Sequence, residues 1–411
     1  MKIKEVNRQN KLRILKTTAI TGADTAFGAV ALSSLKRFSE RQLEEVIPKV
    51  PETLPNGGKH SLPNYETVHL RSDVIGVAPI QNNIKVIHVK DSDGVEPVIK
   101  ENLNNALKLI DCAVRWPPGK KDLVVFPECF LTGFQDDCTS TGEGIPWTRE
   151  AFLKVARTIP GEETDRLGEK AKQHNLYIAG DMYTKEEEWP NHHFHTSFLI
   201  GSNGKVIHKR WKAYIAPSVI EWATTVHDVM DEFIRRYDWN SVWPVARTDI
   251  GNIATMKGIE GLLPETWRAF AFRGAEIYTH MISSSWTADP FQYMAQAMSA
   301  VNNCYTIFCQ PAKVLNAKIH FESCYSFSTF IVDNKGRIMR EARHDSEGCI
   351  YDEIPIAQFR KGRSIPTLRT SIYRDIYTNA KYEKNPPNLY IKYIPKDGVD
   401  AARYTKEKAK W

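Results

Sequence analysis

The chain is poor in the features that mark a stapled, metal-built or membrane-spanning protein. Its seven cysteines stand at irregular spacing without a CxxC pair, and at 411 residues it is no small secreted scaffold. Neither a disulfide framework nor a zinc site follows, and the cysteines read as small buried hydrophobes. No apolar run approaches the length needed to cross a bilayer. Charge is nearly balanced: 55 Lys+Arg against 49 Asp+Glu leave a formal +6. No dense basic stripe gathers that excess, so nucleic-acid binding is disfavoured. What the chain does have is apolar bulk: 42% of its residues are hydrophobic, enough for a large core in one big domain or two.

Residues 1–35 combine a basic Lys11-Leu-Arg13-Ile-Leu-Lys16 with small and apolar residues, and Ala29-Val-Ala31 is shaped like a cleavage site. Asp24 interrupts the apolar run, and the arginine pair of a twin-arginine signal is absent. The stretch reads either as a degenerate export leader or as an amphipathic arm of a cytoplasmic protein. Residues 36–72 are charged and rich in Pro (Pro48, Pro51, Pro55, Pro63), which predicts a linker.

From Asp73 the pattern changes. Apolar runs at Asp73 to Gln81, Leu123 to Phe126, Leu176 to Ala179 and Thr196 to Ile200 are short enough for buried strands. Helical spacing of Val98, Leu103, Leu107, Ile110 and Val114 predicts a helix over 98–115, and another is expected over 162–174. Helices near 265–274 and 291–302, strands at Glu276 to His280 and Tyr305 to Gln310, and a hairpin within Ser326 to Arg337 continue the alternation. The pattern calls for an α/β domain over 73–355 whose sheets are covered by helices. After Pro355 the chain turns polar and rich in Pro, Lys and Tyr, and residues 356–411 are expected to cross onto a neighbouring subunit.

Three segments end an apolar run with charge. Val124-Val-Phe-Pro-Glu128 delivers a carboxylate at a strand end, where desolvation raises its pKa toward that of a general base, although strand-end carboxylates are more often caps or ion-pair partners. Gly204-Lys-Val-Ile-His-Lys-Arg-Trp-Lys212, followed by Pro217-Ser-Val-Ile-Glu221, reads as a solvated basic turn or as a lysine positioned to stabilise an oxyanion. Gly251 to Lys257 leads into Gly258-Ile-Glu-Gly261 and a helix opening at Pro264-Glu265, the form of a nucleophile elbow.

Together Phe126-Pro-Glu128, the turn ending at Lys212 and Leu263-Pro-Glu265…Arg268…Gly274-Ala-Glu276 resemble the nitrilase superfamily of carbon–nitrogen hydrolases in order and spacing, over about residues 73–352. Pro264-Glu-Thr-Trp-Arg268, Asn302-Asn-Cys-Tyr305 and Pro217-Ser-Val-Ile-Glu221 are most similar to its aliphatic amidase and formamidase branch. The resemblance implies an αββα sandwich, homo-oligomers built on two-fold pairs, and a Glu–Lys–Glu–Cys site acting on a small amide-like or nitrile-like substrate. Carried over by residue, Glu128 is the general base, Lys212 the oxyanion-stabilising lysine and Glu221 the supporting glutamate. Ile259 is a candidate backbone oxyanion donor.

The family's cysteine falls on Gly258, and glycine has no thiolate to form an acyl intermediate. Thr255 is the nearest nucleophilic side chain; Cys129 adjoins Glu128 but is expected on the opposite face. Cys304 and Cys309 read as core. His193 and His195 share a predicted strand face, as metal ligands do, but no carboxylate or cysteine lies at ligand spacing and the family uses no metal. No metal or cofactor is therefore expected. Trp286, Phe291 and Tyr293 read as packing or as the mouth of a pocket. Three readings stay open: an enzyme in which Glu128 activates a water filling the space of the missing side chain, for hydrolysis or for hydration or elimination; a non-catalytic relative that binds a ligand or a sister subunit; and a conventional amidase in which the glycine is an engineered or erroneous change.

Overall fold

The computed structural model describes residues 65–88, 94–133, 147–215, 221–283, 288–317 and 329–410; the leader-like segment and most of the linker lie outside them, as do Pro217 to Ile220 and Trp286. Residues 63–411 form one compact unit. In chain order it runs β1 (Ile75–Gln81), β2 (Ile84–Lys85), α1 (Val95–Arg115), β3 (Leu123–Val125), α2 (Arg149–Val155), α3 (Glu162–His174), β4 (Tyr177–Thr184), β5 (Phe194–Ile200) and β6 (Val206–Trp211). Then follow α4 (Met230–Tyr237), β7 (Ala246–Thr248), β8 (Gly251–Lys257), α5 (Pro264–Phe272), β9 (Ile277–Met281), α6 (Ala288–Asn302) and β10 (Tyr305–Cys309). The remainder is β11 (Val314–Leu315), β12 (Thr329–Val332), β13 (Ile338–Ala342), β14 (Gly348–Cys349), β15 (Asp352–Ile354), α7 (Ile356–Gly362), α8 (Thr370–Thr378) and α9 (Gly398–Lys408).

Two sheets result. One has the order β14-β1-β3-β4-β5-β6 with β15 also on β1; the other runs β13-β12-β10-β9-β8-β7. Strand alternation gives each sheet two apolar faces. Leu123 and Val125 point to the other sheet, joining Ile253, Ile277, Ile307 and Ile331, whereas Val124 and Phe126 point to Leu103, Ile110 and Leu167 on α1 and α3. Ala254 and Met256 face Trp267, Phe270 and Ala295 on α5 and α6. Helix, sheet, sheet and helix are thus stacked as an αββα sandwich.

The helices begin and end where local chemistry directs. In α3, Glu162, Glu163 and Asp165 occupy the first turn and Lys172 and His174 the last, matching the helix dipole, and Asn175 closes it in the left-handed region at φ 52°. Pro264 opens α5, where its missing N–H is no loss. The segment expected to cross onto a partner carries three helices. Its far end returns to its own chain: Ala401 on α9 packs with Trp147, Phe152 and Trp222, and Leu389 and Tyr390 pack with Trp189 and Trp211.

Candidate active site

Two extended segments and a turn bring the charges together. The segment Gly204–Lys212, which also reads as a solvated turn, is mostly strand β6; His208, Arg210 and Lys212 lie on its buried face, and Lys205, Ile207 and Lys209 are exposed. Glu128 emerges just beyond β3 and is buried, its backbone N–H donating to the Ile282 carbonyl. The Lys212 ammonium donates to Glu128 Oε1 at 3.3 Å and closely to Glu221 Oε1. Ser283 donates to Glu128 Oε2 from its backbone N–H at 3.1 Å and its hydroxyl at 3.3 Å.

Burial raises the Glu128 pKa, only partly offset by Lys212 and His195. Glu221 is pulled the other way: burial opposes its charge, but Lys212 and His195 together outweigh burial and hold its carboxyl down at about 2. Lys212 itself is held above the ordinary lysine range, because Glu221 and Glu128 overcome the desolvation that opposes its charge. The two glutamates are therefore divided: the Glu221 carboxyl is held down and the Glu128 carboxyl is pushed up.

Gly258 borders this pair. Alternation along β8 would aim residue 258 at the helix layer, with Ala254 and Met256, but φ of +52° turns it back toward the other sheet. A Cβ on Gly258 would stand 2.4 Å from Glu128 Oε1 and 2.7 Å from Lys212 Nζ. This corrects one expectation: there is no water-sized gap where the side chain would begin, because the ion pair itself occupies that space. Ile259 follows in a short 3₁₀ turn, Gly258–Leu262, whose first carbonyl accepts a 3.0 Å hydrogen bond from His280 Nε2. Burial lowers the His280 pKa to about 4, leaving a neutral ring with its proton on that nitrogen.

Residues outside the motif complete the site. Glu260 accepts from Arg210 through both terminal guanidinium nitrogens, at 2.5 and 2.8 Å, and from the Ala213 N–H at 2.7 Å. It clasps the strand that carries Lys212 to the turn that carries Gly258. Thr255 is committed elsewhere, to Ser197 Oγ at 2.7 Å and His208 Nε2 at 3.2 Å.

His195 stands directly behind the glutamates. Its Nδ1 lies 3.3 Å from Glu221 Oε1 and its Nε2 2.7 Å from Asp181 Oδ1. The alternation argument fails for Cys129, because the chain leaves extended geometry there at φ 55°. Its thiol lies 3.4 Å from His195 Nε2, behind the site, with burial pushing its pKa up to about 12. His193, on the same strand face as His195, is instead caged by Phe152 and Trp222.

Cys304 and Cys309 are buried, Phe291 joins the core and Tyr293 is exposed. Among the described residues, donor atoms of Glu128, His195 and Glu221, and of Cys129, Asp181 and His195, gather within 4.8 Å. In the first set the Lys212 ammonium already sits on both glutamate oxygens a cation would need.

The carbon–nitrogen hydrolase family model matches residues 77–364. The omega-amidase NIT3 of Saccharomyces cerevisiae is 24% identical over 307 residues, covering 73% of this chain and 97% of the yeast protein. The omega-amidase NIT2 of Xenopus tropicalis is 23% identical over 288 residues, covering 69% of this chain and 94% of its own length. Among solved structures, an amidase from Nesterenkonia sp. superposes with a TM-score of 0.53 at 14% identity, over 74% of this chain and 96% of its own. At that identity the likeness speaks for the fold, a nitrilase-superfamily sandwich. With the family model spanning most of the described residues and the fold agreeing, the chain belongs to the carbon–nitrogen hydrolases of the nitrilase superfamily.

Proposed function

We propose that the chain hydrolyses a C–N bond of a small amide-like or nitrile-like substrate without a cysteine nucleophile. Glu128 is the base, withdrawing a proton from a water that attacks the substrate carbon directly. Lys212, and the N–H of Ile259, stabilise the negative charge that develops on the substrate oxygen or nitrogen. Glu221 holds Lys212 charged and in place. The observation that carries this reading is the unequal pair of glutamates around one buried ammonium at Gly258. Burying three charges is costly, and a general base with a raised pKa is what that arrangement provides. The water approaches from outside the Glu128–Lys212 pair, since the pair fills the space next to Gly258.

The closeness of that pair also favours a second reading, a ligand-binding relative without turnover, in which the ammonium simply neutralises the carboxylates. A panel of amides, carbamates, hydrazides and nitriles, assayed for release of ammonia or amine, separates the two. Turnover by the wild type and its loss in Glu128→Gln supports hydrolysis. Binding without release, detected calorimetrically, supports the second reading. Self-association through a two-fold interface belongs to the same proposal, in line with what the family resemblance implies.

A further inference from the structure

The carbon–nitrogen hydrolase motifs do not account for His195. It is fully buried on β5, between the sheets, and both ring nitrogens face carboxylates. Asp181 Oδ1 already accepts the Cys129 N–H at 2.7 Å, so at the Asp181 side His195 Nε2 is a donor. Glu221 Oε1 accepts from the Lys212 ammonium, so at that oxygen His195 Nδ1 must also donate; a bare lone pair there would repel the carboxylate. A ring that donates from both nitrogens is an imidazolium.

We infer that His195 is a permanently charged imidazolium, a positioning residue that supplies the second cation of the site and keeps Glu128 ionised and ready to accept a proton. The inference rests on the hydrolytic reading for its consequence but not for the charge state itself. The groups facing His195 are Asp181 and Tyr183 from β4, Glu128 and Cys129 from the turn after β3, Glu221, and the Lys212 segment whose N–H donates to the His195 carbonyl. With Lys212 and His195 charged, two cations face three carboxylates among the described residues around the ring. Protonation of Glu128 brings this cluster to neutrality, so it is the carboxylate poised to take up a proton.

Without the imidazolium, three carboxylates share one ammonium. Glu128, 3.7 Å from His195 Nδ1 and already raised by burial, would then keep its proton to higher pH and act as a base over a narrower range. Burial works against charge on His195, and the Asp181 carboxylate with the hydrogen bonds of Nε2 to Asp181 and the Cys129 sulfur outweighs it, holding its pKa well above the ordinary histidine value.

The test uses the full chain with ¹⁵N- and ¹³C-labelled histidine. The 12 histidines are followed by NMR from about pH 5 to 9, with His195→Asn for assignment, since asparagine keeps a donor and removes the charge. One ring with both nitrogens protonated up to the highest pH, missing in His195→Asn, is expected. A His195 ring that is neutral at pH 7 overturns the inference, and this result stands whether or not the chain turns over any amide.

Where the wild type does release ammonia, His195→Asn should move the acid limb of the kcat/KM profile upward by about one unit or more. A lower rate with the limb unmoved would mark a merely structural histidine and overturn the role. If no amide, carbamate, hydrazide or nitrile is hydrolysed, the hydrolytic reading falls while the NMR result still decides the charge.

Discussion

Gly258 shows most sharply how one residue reshapes a site. Its φ of +52° is one that a side chain adopts at a cost of about 1–2 kcal/mol. Any Cβ would also press on Glu128 and Lys212. Gly258→Ala is therefore expected to lower stability by at least that amount, read as a lower urea midpoint, and to weaken any activity by wedging the base from its lysine. Gly258→Cys should meet the same obstruction, so a thiol alone is not expected to restore cysteine chemistry. Amide release should survive iodoacetamide, because Cys129, the thiol nearest the site among the described residues, is buried and its pKa stands at about 12. An adduct on Cys129 that abolished activity would replace the water mechanism with a relocated nucleophile. Glu128, Lys212 and Glu221 were legible because each follows an apolar run or a family motif. In the sequence His195 reads only as a metal ligand beside His193, and Asp181 and Glu260 carry no signal. Their partners lie on other strands, and linear spacing does not report pairing between β4 and β5 or between β6 and the Gly258 turn.

At the scale of the element, most strands and helices were readable from periodicity, with α3 falling where expected. Strand β6 was obscured because its buried face carries His208, Arg210 and Lys212, so a half-buried strand looked like a charged turn. Its buried face makes the inter-sheet layer polar near the site. Arg210 reaches Glu260, and Lys257 of β8 donates to Ser197 Oγ and the Arg210 carbonyl, each at 3.2 Å. Burial, with Arg210 nearby, lowers the Lys257 pKa to about 7, so above that pH the unfolded chain binds a proton that the folded chain has lost. Stability contributed by this residue should then rise as pH increases from about 7 toward 10, and Lys257→Met should flatten that slope in thermal scans. Glu260 behaves in the opposite sense. The Arg210 guanidinium outweighs burial and holds its pKa near 2, so its contribution is present above the unfolded value of about 4.3 and lost on acidification through about 2. Removing it leaves a buried guanidinium unpaired, which costs about 3–5 kcal/mol. Glu260→Ala should therefore lower the unfolding midpoint steeply at neutral pH, and much less near pH 2.

At the scale of the whole molecule, the segment after Pro355 divides into two parts with different fates. Leu389, Tyr390 and Ala401 are absorbed into the chain's own core. Helix α8 is not: Leu368, Ile372, Tyr373, Ile376 and Tyr377 are exposed, with Ile372 at 68% and Tyr377 at 63%, while Ile365 is half-buried. Ile372, Tyr373, Ile376 and Tyr377 recur at helical spacing, so they form one apolar face rather than scattered surface residues. Such a face in water is costly, and a two-fold partner offering the same face would cover both copies at once. Light scattering at micromolar concentration is expected to give at least a dimer. Ile372→Glu with Ile376→Glu should shift it to monomer, leaving the Glu128 site and its carboxylate signals unchanged. A monomeric wild type would remove this face from any role in assembly.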